Sequence, residues 1–213
     1  MKNMASDNHY LLRFFTSKNP MYSLIKVLPL LAFLIYVLMS SPFHYLQIIA
    51  FGLGITYWSL FEYFVHRIVY HKRTNNKELQ WYLDAFHLHH HKNLRDYRVL
   101  NAGFLLVYPL ALSLLLIVYW FTNSIVLMAS FGFGAILYYL FYEYVHYEIH
   151  HKIHKTKYLK NIQKYHLYHH YYKWNKNFGN TTTLWDKVFG TYDGTYKTIV
   201  YTEEQINDLI LKK

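Results

Sequence analysis

Hydrophobic and polar positions segregate along this chain into long blocks. Val27–His66 contains no lysine or arginine, and neither does Val99–His151. Each block is roughly twice the ~20 residues that one membrane-spanning helix needs, so each predicts a helical hairpin. Helix breakers mark the expected tips, Ser40-Ser41-Pro42 in the first block and Thr122-Asn123-Ser124 in the second. The pattern predicts an all-α integral membrane protein with four transmembrane helices in two hairpins. They run about Met21 to Met39, Phe43 to Val65, Ala102 to Phe121 and Ile125 to Val145. The first is too long, and too free of a cleavage site, to be a secretory signal peptide.

Between and after these blocks the chain is polar. Residues 1–20 read as an N-terminal interfacial segment, with Leu11, Leu12, Phe14 and Phe15 available to a membrane surface. Residues 74–91 predict a cytosolic helix with Thr74 or Asn76 as its N-cap. Residues 173–195 are rich in glycine, threonine and aromatics and read as a cytosolic cap in which Trp185 and Phe189 pack. Thr202-Glu203-Glu204-Gln205 has the form of a capping box, so residues 202–213 form a short C-terminal helix after a membrane domain spanning 21–201.

A mean hydropathy of −0.01 would suit a soluble protein, but that average hides the segregation. The 22 basic residues fall outside the apolar blocks: four up to Lys26, seven from Arg67 to Arg98 and eleven from Lys152 onward. Both hairpin tips lack lysine and arginine. The positive-inside rule therefore puts both termini and the 67–98 loop in the cytoplasm. The formal charge of +10 is explained by topology and contact with anionic headgroups, and calls for no nucleic acid partner. The absence of cysteine excludes disulfides, a cysteine-bound iron–sulfur cluster and a thiolate haem.

The chemistry lies in the histidines. His87, His90 and His91 follow the pattern H-x-x-H-H, and so do His166, His169 and His170. On a helix, positions i, i+3 and i+4 share one face, so each block aims three imidazoles into one volume. Neutral imidazole is a common metal ligand near pH 7, and three together suit zinc, iron or copper. Each block follows a pair, His66 and His71 before the first and His146 and His150 before the second. The pair-to-block separations nearly repeat, 21 residues from His66 to His87 and 20 from His146 to His166. Ten histidines thus form two sets of five, read as a binuclear site in the cytosolic layer where the second and fourth helices end. His146 and His150 share a helix face. His66 and His71 stand five apart, about 140° on a regular helix, and need a bulge, a break or separate metals. His89 and His151 point off the ligand faces, His9 and His44 stand alone, and His154 is expected beside the ligands.

Acidic residues near the membrane are costly and therefore informative. Glu62 and Glu143 each precede a ligand by one turn, and Asp84 precedes His87 by one turn. All three are candidate acceptors for imidazole N–H; the plainer alternative pairs the glutamates with Arg67 or a lysine. A histidine-rich zinc transporter is a competing reading. Transport requires polar groups across the membrane midplane, and the first and third helices offer almost none. Storage needs no matched sets of five.

The stretches FEYFVHRIVYH (61–71), HLHHHK (87–92), LFYEYVHYEIH (140–150), YHLYHH (165–170) and FGNTTTLWDKVFGT (178–191) resemble the fatty acid hydroxylase, or sterol desaturase-like, superfamily. The WSLFEYFVHR run and the TLWD tail resemble its fatty acid 2-hydroxylases. That resemblance implies that the ten histidines bind two metal ions, iron for catalysis, with zinc able to occupy the site in purified protein. It implies oxidation of an acyl lipid, with sterol, carotenoid or other lipid oxidation as the alternative. Eukaryotic members carry an N-terminal cytochrome b5-type domain, and only about twenty residues stand there in this chain. Electrons are then expected from a separate ferredoxin or cytochrome b5-type carrier with its reductase. No nucleotide or flavin motif is present.

Overall fold

The computed structural model of the chain describes residues 21–84, 87, 89–92 and 104–209. The expected interfacial segment 1–20, the side chain of His89 and the loop from 93 to 103 lie outside them. Among the described residues there are nine α-helices and no strand: α1 Met21–Met39, α2 Leu46–Phe64, α3 Lys77–Leu83, α4 His89–Lys92, α5 Phe104–Thr122, α6 Ile125–His151, α7 Lys157–Tyr171, α8 Leu184–Val188 and α9 Glu203–Leu209. Helix α2 continues without a break into a π-helical turn, Val65–Tyr70.

Three helical stretches are long and apolar enough to cross a membrane, Met21–Met39, Leu46–Tyr70 and Ile125–His151; Val107–Thr122 is a shorter apolar stretch. The breaks fall where the sequence placed them. Helix α1 ends at Met39 before Ser40-Ser41-Pro42, and α5 ends at Thr122 before Asn123, which adopts a positive φ of 47°. Asparagine tolerates that left-handed conformation better than most residues, which suits the two-residue corner, Asn123-Ser124, between α5 and α6. Helix α6 is longer than predicted. Its 27 residues extend about 40 Å, well beyond the ~30 Å of a bilayer's hydrocarbon, and the surplus turns carry His146 and His150.

The described chain divides into two compact units. Of the described residues, one unit holds those within 21–59 and 104–143, and the other those within 60–92 and 144–209. In the first unit, Val27, Leu30, Leu34 and Val37 form one stripe of α1 at helical spacing and pack with Leu115, Met128, Ala129, Ile136 and Tyr139. The opposite face of α1 exposes Ile25, Leu28 and Tyr36, and α2 exposes Ile48 and Leu53, as lipid-facing helices do. Helices α2 and α6 touch through glycine. A Cβ on Gly54 would lie 2.0 Å from the Phe131 carbonyl oxygen, and one on Gly134 would lie 2.2 Å from that of Phe51. Only glycine permits so close an approach of two backbones.

In the second unit, Val145, Ile149 and Ile162 join α6 to α7, while Tyr165, Tyr168 and Tyr196 pack the far side of α7. The helix expected over 74–91 opens at Asn76, the N-cap, whose Oδ1 accepts from Leu79 N–H at 3.0 Å; it is α-helical over Lys77–Leu83, π-helical at Asp84 and His87, and α-helical again over His89–Lys92, with residues 85, 86 and 88 outside the described residues. The predicted capping box at α9 is formed in both directions: Gln205 N–H donates to Thr202 Oγ1 at 3.2 Å and Thr202 N–H to Gln205 Oε1 at 2.9 Å.

The glycine contact gives a prediction with an internal control. Gly54→Ala or Gly134→Ala must push two backbones apart, at a cost of about 1–3 kcal/mol. Gly52→Ala meets nothing within 4 Å. Thermal unfolding in detergent should show a lowered midpoint for the first two and not for the third; three equal midpoints contradict the contact.

Candidate metal centre

The π turn explains the awkward spacing of His66 and His71. A π-helix has one more residue per turn than an α-helix, so residues five apart come to the same side. Residues 65–70 take that form, and both imidazoles join one group with His87, His91 and His169. A second group holds His90, His146, His150 and His166; within each group the ligand atoms lie within 4.8 Å of one another. His170 adjoins the second group, its Nε2 2.9 Å from that of His166. All ten predicted histidines are therefore brought together, and all belong to the second unit.

The two H-x-x-H-H blocks are shared between the groups. His87 and His91 lie in the first group while His90 lies in the second; His166 and His170 lie with the second while His169 lies in the first. The helix accounts for this. Positions i and i+4 lie almost above one another, and i+3 is displaced to their other side.

The Nε2 atoms converge. His66 approaches His87 to 3.2 Å, His87 approaches His71 and His91 to 2.9 Å each, and His71 approaches His169 to 3.0 Å. In the second group His150 and His166 are 2.9 Å apart. Neighbouring ligands held about 2.0–2.1 Å from one ion have separations of this size. Both ring nitrogens of His90, and Nδ1 of His150, His166 and His170, are buried without a hydrogen-bond partner among the described residues. Buried polar atoms are normally paired, so the donor set fits metal ions in both groups. With nitrogen ligands only, the site suits iron, zinc or copper.

Burial also keeps these rings neutral. His87, His90, His166, His169 and His170 titrate well below the ordinary 6.5, chiefly by desolvation and then by one another's proximity. His71 is pulled down to about 4 by burial and then by Arg73, and His91 to about 3 by burial and then by His71. At neutral pH every one of these rings offers a lone pair.

Two of the rings are oriented by main-chain carbonyls. His66 Nδ1 lies 2.5 Å from Phe178 O and His169 Nδ1 lies 2.7 Å from Lys176 O. Both carbonyls belong to the predicted cap, which turns sharply at Asn177, φ 59°. Aromatic rings close over the first group: Tyr70 stacks on His87 at 4.9 Å, Trp174 on His71 at 5.7 Å, and the buried Phe178 meets His66 edge-on at 5.7 Å.

A sequence model of the fatty acid hydroxylase family matches residues 51–191, a stretch that holds all ten histidines and the cap. The chain belongs to the fatty acid hydroxylase family. It is 32% identical over 173 residues to a dihydroceramide fatty acyl 2-hydroxylase, FAH2, of Arabidopsis thaliana, covering 78% of this chain and 70% of that protein. Its fold superposes with a TM-score of 0.71 on a solved structure described as full-length scs7p with only the hydroxylase domain visible. That match has 25% identity and covers 88% of this chain and 71% of the other.

The three carboxylates do not stand where this hydroxylase-family sequence suggested. Glu62 accepts from the N–H groups of Asn180 and Thr181 and from the Thr181 hydroxyl, and so holds the cap instead of an imidazole. Asp84 Oδ1 accepts from Arg73 and Gln80 on α3. Glu143 belongs to the other unit and accepts from Ser23 Oγ at 3.1 Å, with Lys26 close by, as the plainer reading had it. His151 Nδ1 lies 2.8 Å from Tyr147 O, and His154 Nε2 lies 3.5 Å from Glu148 Oε2. Sequence reasoning gave no role to Asp186, the completely buried last residue of the TLWD tail, or to the carbonyls of Lys176 and Phe178. Main-chain oxygens carry no side-chain signal; the density of glycine and threonine around Phe178 was their only trace.

The neutral rings make stability depend on pH in a defined direction. For His71 and His91 the folded values lie below 6.5, so between about 3–4 and 6.5 the unfolded chain binds protons that the folded chain does not. Metal-free protein should lose stability steadily on acidification from pH 7 to 4.5, and saturating metal should delay that loss because bound nitrogens cannot take protons. Melting by circular dichroism across this range checks it; a flat profile contradicts it.

Proposed function

We propose that this family member is a membrane di-iron oxygenase that hydroxylates the acyl chain of a fatty acid or acyl lipid at carbon 2. The observation that carries the proposal is the pair of interleaved histidine groups, with ligand nitrogens converging and buried. The overall reaction is R–H + O2 + 2 electrons + 2 H+ → R–OH + H2O, so a one-electron carrier must deliver two electrons from outside the chain. A ferredoxin or cytochrome b5-type protein with its reductase fits that need.

The ligands in this proposal are His66, His71, His87, His91 and His169 for one metal and His90, His146, His150, His166 and His170 for the other. Bound iron would supply the redox chemistry that activates dioxygen toward an unactivated C–H bond. The protein's own part is ligation, orientation and exclusion of water. Ten neutral imidazoles hold two cations without neutralising them. The Lys176 and Phe178 carbonyls fix two of the rings, while Tyr70, Trp174 and Phe178 screen the first group from solvent. His87→Ala or His169→Ala should lose metal and activity together, whereas His154→Ala, whose ring faces Glu148 at 3.5 Å and joins neither histidine group, should keep both metals. Normal metal content in His169→Ala would overturn the ligand assignment.

Four transmembrane helices with both termini and the histidines on the cytoplasmic side complete the reading. Cysteines placed at Ser41 and Asn123 should react with an impermeant reagent from outside the cell, and one at Asn93 should not. The background is clean because the chain has no cysteine. Labelling at Asn93 contradicts the orientation.

Position along the acyl chain follows from depth. His146 and His150 lie on the last turns of a helix longer than the hydrocarbon, so the metals belong near the headgroups. A lipid that stays embedded presents its first carbons there. A mid-chain carbon would arrive only by drawing methylenes out of the hydrocarbon, at ~0.8 kcal/mol each unless a protein tunnel shelters them. The similarity to a fatty acyl 2-hydroxylase supports the same carbon. The test feeds an acyl chain deuterated at carbon 2 to the enzyme with carrier and reductase, then fragments the product. Loss of one deuterium with hydroxyl at that carbon is expected; a mid-chain hydroxyl or a new double bond assigns another reaction of the family.

A further inference from the structure

Glu62 sits one turn before His66, yet its carboxylate points to the cap. What it holds there is the backbone immediately after the carbonyl that touches His66. Five consecutive N–H groups of this segment are satisfied in turn. Asn177 N–H donates to Thr191 O at 3.1 Å. Phe178 and Gly179 N–H donate to the two oxygens of Asp186 at 2.9 and 2.8 Å. Asn180 and Thr181 N–H donate to Glu62 Oε1 at 2.9 and 3.1 Å. The Thr181 hydroxyl lies 3.1 Å from both Glu62 oxygens. Asn177 adds a two-way bond to the main chain of Asp193, at 3.1 and 2.7 Å.

Apart from Asp193 these residues are buried: Glu62 is 7% exposed and Asp186 and Asn177 are 0% exposed. Two buried carboxyl groups, each collecting two consecutive main-chain N–H groups, hold the turn in both position and direction. The turn they hold has no slack. A Cβ on Gly179 would lie 2.0 Å from Thr182 O and 3.2 Å from Asp186 Oδ2. The clamp faces a single target, Phe178 O against His66 Nδ1, while His66 Nε2 faces the other rings of its group.

We propose that Glu62 is a positioning residue for the first histidine group, acting through the turn 178–181. Together with Asp186 it fixes the Phe178 carbonyl, which keeps the His66 proton on Nδ1 and leaves the Nε2 lone pair for the metal. An imidazole free to change tautomer presents that lone pair for only part of the time, and loss of such support typically weakens metal binding by 10–100-fold. Glu62 thus links α2, which carries His66, to the cap that orients it. Three rings of the second group differ: Nδ1 of His150, His166 and His170 has no hydrogen-bond partner among the described residues. The effect of Glu62 should therefore fall on one metal of the two.

The inference rests on the two-metal reading but not on the reaction, so the test is metal retention. Full-length protein purified with its metals is challenged with increasing chelator. The metal left per chain is counted by elemental analysis, and imidazoles set free are mapped by diethylpyrocarbonate labelling and mass spectrometry. Glu62→Ala should release one metal at chelator concentrations at least ~10-fold lower than the parent, with new labelling at His66 and His71 and none at His146 and His150. Glu62→Gln keeps an acceptor oxygen for the two N–H groups and should stay within a few-fold of the parent. Gly179→Ala, which leaves every imidazole and carboxylate in place but displaces the turn, should reproduce the Glu62→Ala pattern. Glu62→Ala that retains both metals like the parent overturns the proposal. So does release of both metals together with loss of helical circular dichroism in Glu62→Ala and Gly179→Ala, which would make Glu62 a support of the whole fold. A parent that holds fewer than two metals would refute the two-metal reading itself, before any variant is compared.

Discussion

A neutral imidazole is a poor thing to bury and a good thing to bind a metal with, and this fold is arranged around that tension. Seven of the ten histidines are buried, with His150 and His169 fully so. His87 Nε2 stands 2.9–3.2 Å from the Nε2 atoms of His66, His71 and His91, yet a ring nitrogen has one proton or one lone pair and can make only one good hydrogen bond. Extra protons are resisted, because burial keeps His71, His87 and His91 below their ordinary titration range. Cations in both groups would resolve the conflict, and their binding would become part of the folding free energy of the unit that holds them. Long helices are the means of delivery: α2 with its π turn runs 25 residues, Leu46–Tyr70, α6 runs 27, and both place histidines at their ends.

The sequence contains a repetition that the histidine spacing only half reveals. Phe51-Gly52-Leu53-Gly54 in α2 has its counterpart in Phe131-Gly132-Phe133-Gly134 in α6, and Val65-His66 has its counterpart in Val145-His146 at the same offset. The glycine contacts are reciprocal, each glycine lying against the carbonyl of the other copy's phenylalanine. After the first histidine the copies fall out of step by one residue, since His71 follows His66 by five and His150 follows His146 by four. The π turn over residues 65–70 absorbs that residue. It restores the register, so that the later histidines of the two copies can take matching places and exchange their middle members. A single extra residue, which costs a regular helix its hydrogen-bonding pattern, is here the condition for two equivalent metal groups.

Side-chain periodicity made the ten clustered histidines legible, along with both hairpin tips and the α9 capping box, because each depends on the local sequence alone. The helix over 74–91 was legible too, from Asn76 onward, but its change to π-helical form at Asp84 and His87 was not, because no local polar pattern marks such a change. The carboxylates show a different limit. Glu62 and Glu143 look alike in sequence, each a turn before a histidine, yet one collects main-chain N–H groups from a loop 118 residues away and the other accepts from Ser23. What distinguishes them is which distant backbone arrives, and no spacing rule encodes that.

The asymmetry between the two groups bears on how the site does its work. His66 and His169, both in the first group, have Nδ1 held by carbonyls of one short segment, and that segment is tied by Asn177, Asp186 and Glu62. Burial does not account for the difference, because His66 and His169 are as deeply buried as His90, His150 and His166, all at most 3% exposed. Burial fixes where a ring lies, but not which of its two nitrogens carries the proton; that is set by the hydrogen bond the other nitrogen makes. A carbonyl against Nδ1 supplies that bond, and it needs a main chain passing closely over the ring. The cap's glycine, asparagine and threonine content follows from the need to bring a main chain over two rings while satisfying every N–H from Asn177 to Thr181.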